Sequence, residues 1–319
     1  MGLSLVHFRD ADDAEGAWGV LAPDGVRRLP GSYPTTARLL AKGLDAARAL
    51  ARTPGGGARP LAELELLAPV THPCRVIAQG MNYRSHLEEI GLDPDAKRFN
   101  VLFRKSSAAI TGPRDAIVRP PHVRLLDYEV ELGLVIGTAT RGPTVVEDAT
   151  LPRFVAGLVV ANDVSARDVQ LPQTQFYKGK SYRTFCPAGP VLFVPEPAEL
   201  ARWRELRLTL RVNGEVRQDA SAGDMVFDPA ATLTELTQIE DLDPGDLILT
   251  GTPGGVALRS PPALVQRLVS LLPEARRWEL FLRAQARRRA YLQPGDRVTA
   301  TIRTPDGAID LGGQENLVR

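Results

Sequence analysis

The chain has 319 residues, and its 39 basic and 38 acidic side chains leave a formal charge of +1, with 44% of residues hydrophobic. That length suits two domains or one large one, and the composition excludes a disordered chain. The near-zero charge argues against a dedicated nucleic-acid binder, and two cysteines with four histidines leave no disulfide framework and no all-cysteine zinc site. His7, His72, His86 and His122 never form a His-x-x-x-His pair, so any metal site leans on carboxylate oxygen. No apolar run reaches the roughly 18 residues a membrane span needs. Met1–Asp13 turns acidic early and does not read as a signal peptide, so a reducing, cytoplasmic location is expected. Only five of the basic residues are lysine, a bias that carries no functional reading by itself.

In chain order, residues 1–70 read as a small N-terminal α+β domain. Short β-like runs at 4–8 and 18–21 flank a turn at Pro23-Asp24-Gly25. A helix is predicted from Thr36, with Leu39, Leu40, Leu44, Ala47 and Leu50 at helical spacing. The stretch Thr53-Pro-Gly-Gly-Gly-Ala-Arg-Pro60 can only be a loop, and the boundary falls near residue 70, leaving 71–319 as the larger domain.

That domain reads mostly as strands, at 75–78, 101–104, 128–136, 154–161, 191–194, 206–212 and 247–250. Asn213-Gly214 signals a type I′ hairpin, and Pro305-Asp306-Gly307 joins strands at 297–302 and 308–311. Many strands with few long helices point to an α+β, β-rich fold, a mixed sheet or roll rather than a doubly wound one. Pro262–Tyr291 is helical in composition, with Trp278, Phe281, Leu282 and Ala286 on one stripe. An amphipathic helix packed on the protein with a solvated basic face is expected; a nucleic-acid or membrane-surface helix is the alternative.

Candidate chemistry starts at Asp127-Tyr-Glu-Val-Glu-Leu-Gly133. On a strand, Glu129 and Glu131 share a face, either in water or, given the apolar run that follows, beside a cation in a core. Asp163 ends the apolar run Phe154–Ala161 abruptly, as a metal ligand or a helix N-cap. Two glutamates and an aspartate are hard oxygen donors suited to Mg²⁺ or Mn²⁺. His86 and Glu89 stand three apart on a short predicted helix and can face one site, where a carboxylate raises the imidazole's basicity; an incidental surface pair is the alternative. Gly179-Lys180-Ser181 lacks the earlier glycine of a phosphate-binding loop, Thr174 standing there. Gly251-Thr-Pro-Gly-Gly255 reads as a turn beside a pocket, and Cys186 as a buried thiol.

Taken in order, five segments resemble the fumarylacetoacetate hydrolase family. They are Gly80–His86, Asp127–Gly133, Asn162–Gln170, Gly179–Pro187 and Pro244–Pro253, and the resemblance resumes at Pro294-Gly-Asp296. It implies the family's mixed β-sandwich roll with a small N-terminal domain, a homodimer and a divalent cation. By motif match Glu129, Glu131 and Asp163 become the ligands and His86 with Glu89 the water-activating pair. Arg167, Gln170, Lys180 and Thr250 bind or polarise the substrate, Lys180 being counted with the catalytic pair.

The expected activity is metal-dependent hydrolysis of a C–C bond in an acylpyruvate-like 1,3-diketo acid through a stabilised enolate. An oxaloacetate-type decarboxylase or a 2-hydroxydienoate isomerase or hydratase is the alternative, and a non-catalytic scaffold a more distant one. Two departures stand out: Arg183, where relatives carry an acidic or small residue, and the long helical insertion 257–292.

Overall fold

In a computed structural model, residues 2–10, 13–53, 57–173, 175–259 and 271–319 are described. Every residue of the strand Val130–Ile136 is buried, and so is nearly all of Val155–Asn162 antiparallel beside it. Near-continuous apolar strands of this kind need cover on both faces. They lie in the middle of a ten-stranded sheet. On one side follow Leu247–Leu249, Val76–Gly80 and Val101–Lys105, the first two of these parallel. On the other side follow Val191–Val194, Leu3–Asp10, Asp13–Ala22 and Gly25–Arg28, with Leu66–Leu67 also pairing with Leu3–Asp10. The first strand thus continues the sheet of the later residues, Leu3 opposite Val194 and Val6 opposite Val191.

A second, four-stranded antiparallel sheet is built from Glu215–Ser221, Arg207–Val212, Arg297–Arg303 and Asp310–Leu317. Here buried and accessible positions alternate, the pattern of a sheet with one wet face. Its buried face lies on the larger sheet, and Gln314 Nε2 crosses the layers to donate to the Val160 and Pro187 carbonyls, 2.9 Å each. The fold is the expected α+β, sheet-rich sandwich. The Asn213-Gly214 hairpin also forms, both residues at positive φ, 52° and 85°.

The helix predicted from Thr36 is two short helices, Thr36–Lys42 and Leu44–Arg52, meeting at Gly43. Gly43 donates its N–H to Leu39 O and ends the first helix, so the apolar spacing continues across a break. In the predicted helical stretch the described helix is Glu274–Ala286, and residues 260–270 lie outside the described residues. Its buried residue is Gln285, whereas Ala286 is exposed and Trp278, Phe281 and Leu282 are half-buried. Gln285 lies on the same face as Trp278, Phe281 and Leu282, and two hydrogen bonds hold its amide inside, so the expected packed face is kept with the arginines around it exposed. No helix among the described residues is long and apolar enough to cross a membrane.

Candidate metal centre and active site

Antiparallel register sets Ala161 opposite Glu131 and Asn162 opposite Val130. That brings Asp163, just past one strand's end, beside Glu129, just before its neighbour's start: Asp163 N–H donates to Glu129 O at 2.8 Å, and Glu129 N–H to Asn162 Oδ1 at 2.9 Å. Glu129, Glu131 and Asp163 are all buried, and one ligand oxygen from each lies within 4.8 Å of the others. Three carboxylates so placed need positive charge. Lys180 supplies part of it, its Nζ 2.6 Å from both Glu129 Oε2 and Asp163 Oδ2. Lys105 Nζ lies 2.5 Å from Asp163 Oδ1. Arg167 pairs with Glu129 Oε1 through Nη2, with Asp127 Oδ2 through Nε at 2.9 Å, and donates to Gln170 Oε1 at 2.9 Å.

The two glutamates are left in different states. Burial would raise Glu129, yet Lys180 and Arg167 bring it down to about 2. Glu131 goes the other way: burial, with Asp163 and Glu129 beside it, raises it well above the usual carboxylate range. Its Oε2 accepts the Gly251 N–H at 2.8 Å, while its buried Oε1 has no hydrogen-bond partner among the described residues. A buried carboxylate oxygen with no partner, in a set of three hard donors, fits a divalent cation.

His86 and Glu89 sit on the helix Arg84–Glu89, with His86 buried. His86 Nδ1 is 3.7 Å from Glu89 Oε2, beyond a hydrogen bond. Glu89 is engaged elsewhere, accepting the Gly255 N–H at 3.0 Å and pairing with Arg259. Burial would raise its pKa, but His86, the Gly255 N–H and Arg259 together hold it below the usual range. The turn after Leu247–Leu249 therefore touches both centres: Gly251 binds Glu131, and Gly255 binds Glu89. Only glycine serves at 255, where φ is +104° and a Cβ would fall 1.9 Å from Arg217 O.

Residues 75–319 match the family described as fumarylacetoacetate (FAA) hydrolase C-terminal. The chain belongs to the fumarylacetoacetate hydrolase family. Among similar family proteins, one from Bos taurus named oxaloacetate tautomerase FAHD2A, mitochondrial, is 42% identical over 211 residues, 65% of each chain. Oxaloacetate tautomerase YisK of Bacillus subtilis is 38% identical over 198 residues, 61% of this chain and 64% of its own. These matches span a little under two thirds of the relatives' length. The solved fumarylacetoacetate hydrolase of Exiguobacterium antarcticum is 30% identical with a TM-score of 0.73, covering 99% of both chains. The 2-hydroxyhepta-2,4-diene-1,7-dioate isomerase of Mycobacterium marinum is 26% identical with a TM-score of 0.68, covering 99% of this chain and 98% of the other.

The structure brings Glu129, Glu131, Asp163, Lys180, Arg167 and Gln170 of this family member into one buried network, with His86 and Glu89 joined to it by the Gly251–Gly255 turn. Gly179 is the reason Lys180 arrives there: a Cβ on it would meet the Gln170 backbone at 2.8 Å, so glycine lets the helix Phe176–Lys180 lie against Arg167–Gln173. Thr250 is turned to the sheet, its hydroxyl donating to Leu132 O at 2.9 Å. Arg183 is exposed, Thr174 lies outside the described residues, and Cys186 is buried with its thiol pushed up to about 12 by burial. Sequence reasoning missed three members: Lys105, Asp127 as the partner of Arg167, and Arg259. For Lys105 no signal existed, since Lys42 and Lys178 are exposed and the scarcity of lysine does not mark buried positions.

Proposed function

We propose that the chain is an enzyme acting on 2-oxo acids: a keto–enol tautomerase that moves a proton between C3 and the C2 oxygen of an oxaloacetate-like substrate. Mg²⁺ or Mn²⁺ would be held by Glu129, Glu131 and Asp163. When bound, the cation supplies positive charge to the substrate's carboxylate and adjacent oxygen, which lowers the cost of the enolate. The observation that carries this reading is the buried carboxylate triad with His86 beside it and not hydrogen-bonded to Glu89. A tautomerase needs a proton carrier near C3 and no water delivered to a carbonyl, and an imidazole with Nδ1 unbonded serves that role. Lys180 and Arg167 add fixed positive charge, and the names of the bovine and Bacillus relatives point the same way.

Hydrolysis of an acylpyruvate is the second reading. It is favoured by His86 and Glu89 sharing one helix, where a 3.7 Å gap closes with a small rotation. A homodimer in the cytoplasm, with a boundary near residue 70, belongs to the same proposal, and light scattering on the purified chain checks the dimer.

The test is to add enzyme to freshly dissolved enol-oxaloacetate and to acetylpyruvate, following enol absorbance and pyruvate release. Fast equilibration of oxaloacetate with no pyruvate supports the tautomerase; pyruvate from acetylpyruvate supports the hydrolase. Glu131→Ala or a chelator should reduce the rate at least about 100-fold. Equal turnover without metal overturns both readings.

A further inference from the structure

Proton transfer by His86 leaves Arg259 unused, yet Arg259 competes with His86 for Glu89. Its guanidinium pairs with Glu89 Oε1, while His86 Nδ1 is left without a hydrogen-bond partner among the described residues. Lys105, Lys180 and Arg167 are buried and tied to carboxylates, but the Arg259 side chain is 37% exposed, a cation reachable from solvent next to a buried centre. Its backbone is fixed. Gln285 Nε2 donates to Arg259 O at 2.8 Å, and Tyr291 Oη in turn donates to Gln285 Oε1 at 2.8 Å. Upstream, Asp127 accepts the N–H groups of Ala257 and Leu258 at 2.7 and 3.1 Å. The guanidinium, whose Nη1 also donates to Val256 O at 3.1 Å, hangs from this anchored strap, so exchanging Glu89 for another carboxylate needs no movement of the strap.

Charge says what that partner is. Asp127, Glu129, Glu131 and Asp163 face Lys105, Lys180 and Arg167, so the buried acids of this network outnumber its buried cations by one. A divalent cation reverses this, and the carboxylate next to the 2-oxo group then balances it. A second, distal carboxylate needs a cation of its own. We propose that Arg259 is a specificity-determining residue: it exchanges Glu89 for the distal carboxylate of a dicarboxylic 2-oxo acid. This deepens the tautomerase reading and rests on it for the substrate's chemical class.

The test is equilibrium binding to the Mg²⁺-loaded chain and to Arg259→Gln, using two ligands that need no turnover: 2-oxoglutarate, with a distal carboxylate, and pyruvate, without one. Arg259→Gln should weaken 2-oxoglutarate about 10- to 100-fold, as expected for loss of a charge-assisted pair, and leave pyruvate within about 2-fold. Arg259→Lys should recover part of the loss. Equal weakening of both ligands, or of neither, overturns the proposal. Oxaloacetate turnover by the native chain is scored separately: a binding split without turnover sinks the tautomerase and keeps the role of Arg259, and turnover without a split does the reverse.

Discussion

Lys180 Nζ lies 2.6 Å from Asp163 Oδ2, and both side chains are almost entirely buried. The two arrive from opposite directions in the fold, Asp163 from the end of a central strand and Lys180 from the last turn of a five-residue helix. Burial favours a neutral lysine, yet Asp163 and Glu129 raise its pKa and keep it charged. The ammonium is thus part of the carboxylate cluster, and what sets its position matters as much as its identity.

Gly179→Ala tests that position. The new methyl group would press on the Gln170 backbone, and the helix carrying Lys180 must shift away. We expect a loss of about 1–3 kcal/mol in chemical denaturation together with at least a roughly 10-fold fall in kcat. Unchanged kcat would separate Lys180 from the chemistry.

Lys105→Met tests the second ammonium. Asp163 Oδ1 would lose a buried partner, at a cost of about 3–5 kcal/mol measured by denaturant unfolding. Asp163→Asn added to Lys105→Met should recover much of that stability while removing metal binding. The double variant separates the ion pair's structural contribution from the ligand's.

Glu89 gives a pH dependence with a defined sign. Its folded pKa lies below the unfolded value, so its contribution is full above the unfolded carboxylate value of about 4.3 and is lost as pH falls through the lowered one. Native chain and Glu89→Gln should differ by about 1 kcal/mol at neutral pH and converge in acid. Unfolding curves across that range check it, and a gap that widens as pH falls would contradict the assignment.

The sequence by itself determined the local terms. The apolar runs at 130–136 and 155–162 specify buried strands, Asn213-Gly214 its hairpin, and the ordered motifs the family. The family resemblance also picked out Glu129, Glu131 and Asp163 as ligands, since strand alternation alone left the two glutamates either in water or beside a cation. Pairing across the chain was decided by tertiary structure. Antiparallel register placed Asp163 against Glu129, and folding delivered Lys105 from a distant strand. The Glu89 carboxylate, expected to serve His86, went to Gly255 and Arg259. Gln285 takes the most buried place on the face of Trp278, Phe281 and Leu282, because partners from elsewhere in the chain satisfy its amide. Periodicity reports which residues are buried. Only the assembled fold decides which buried charges meet.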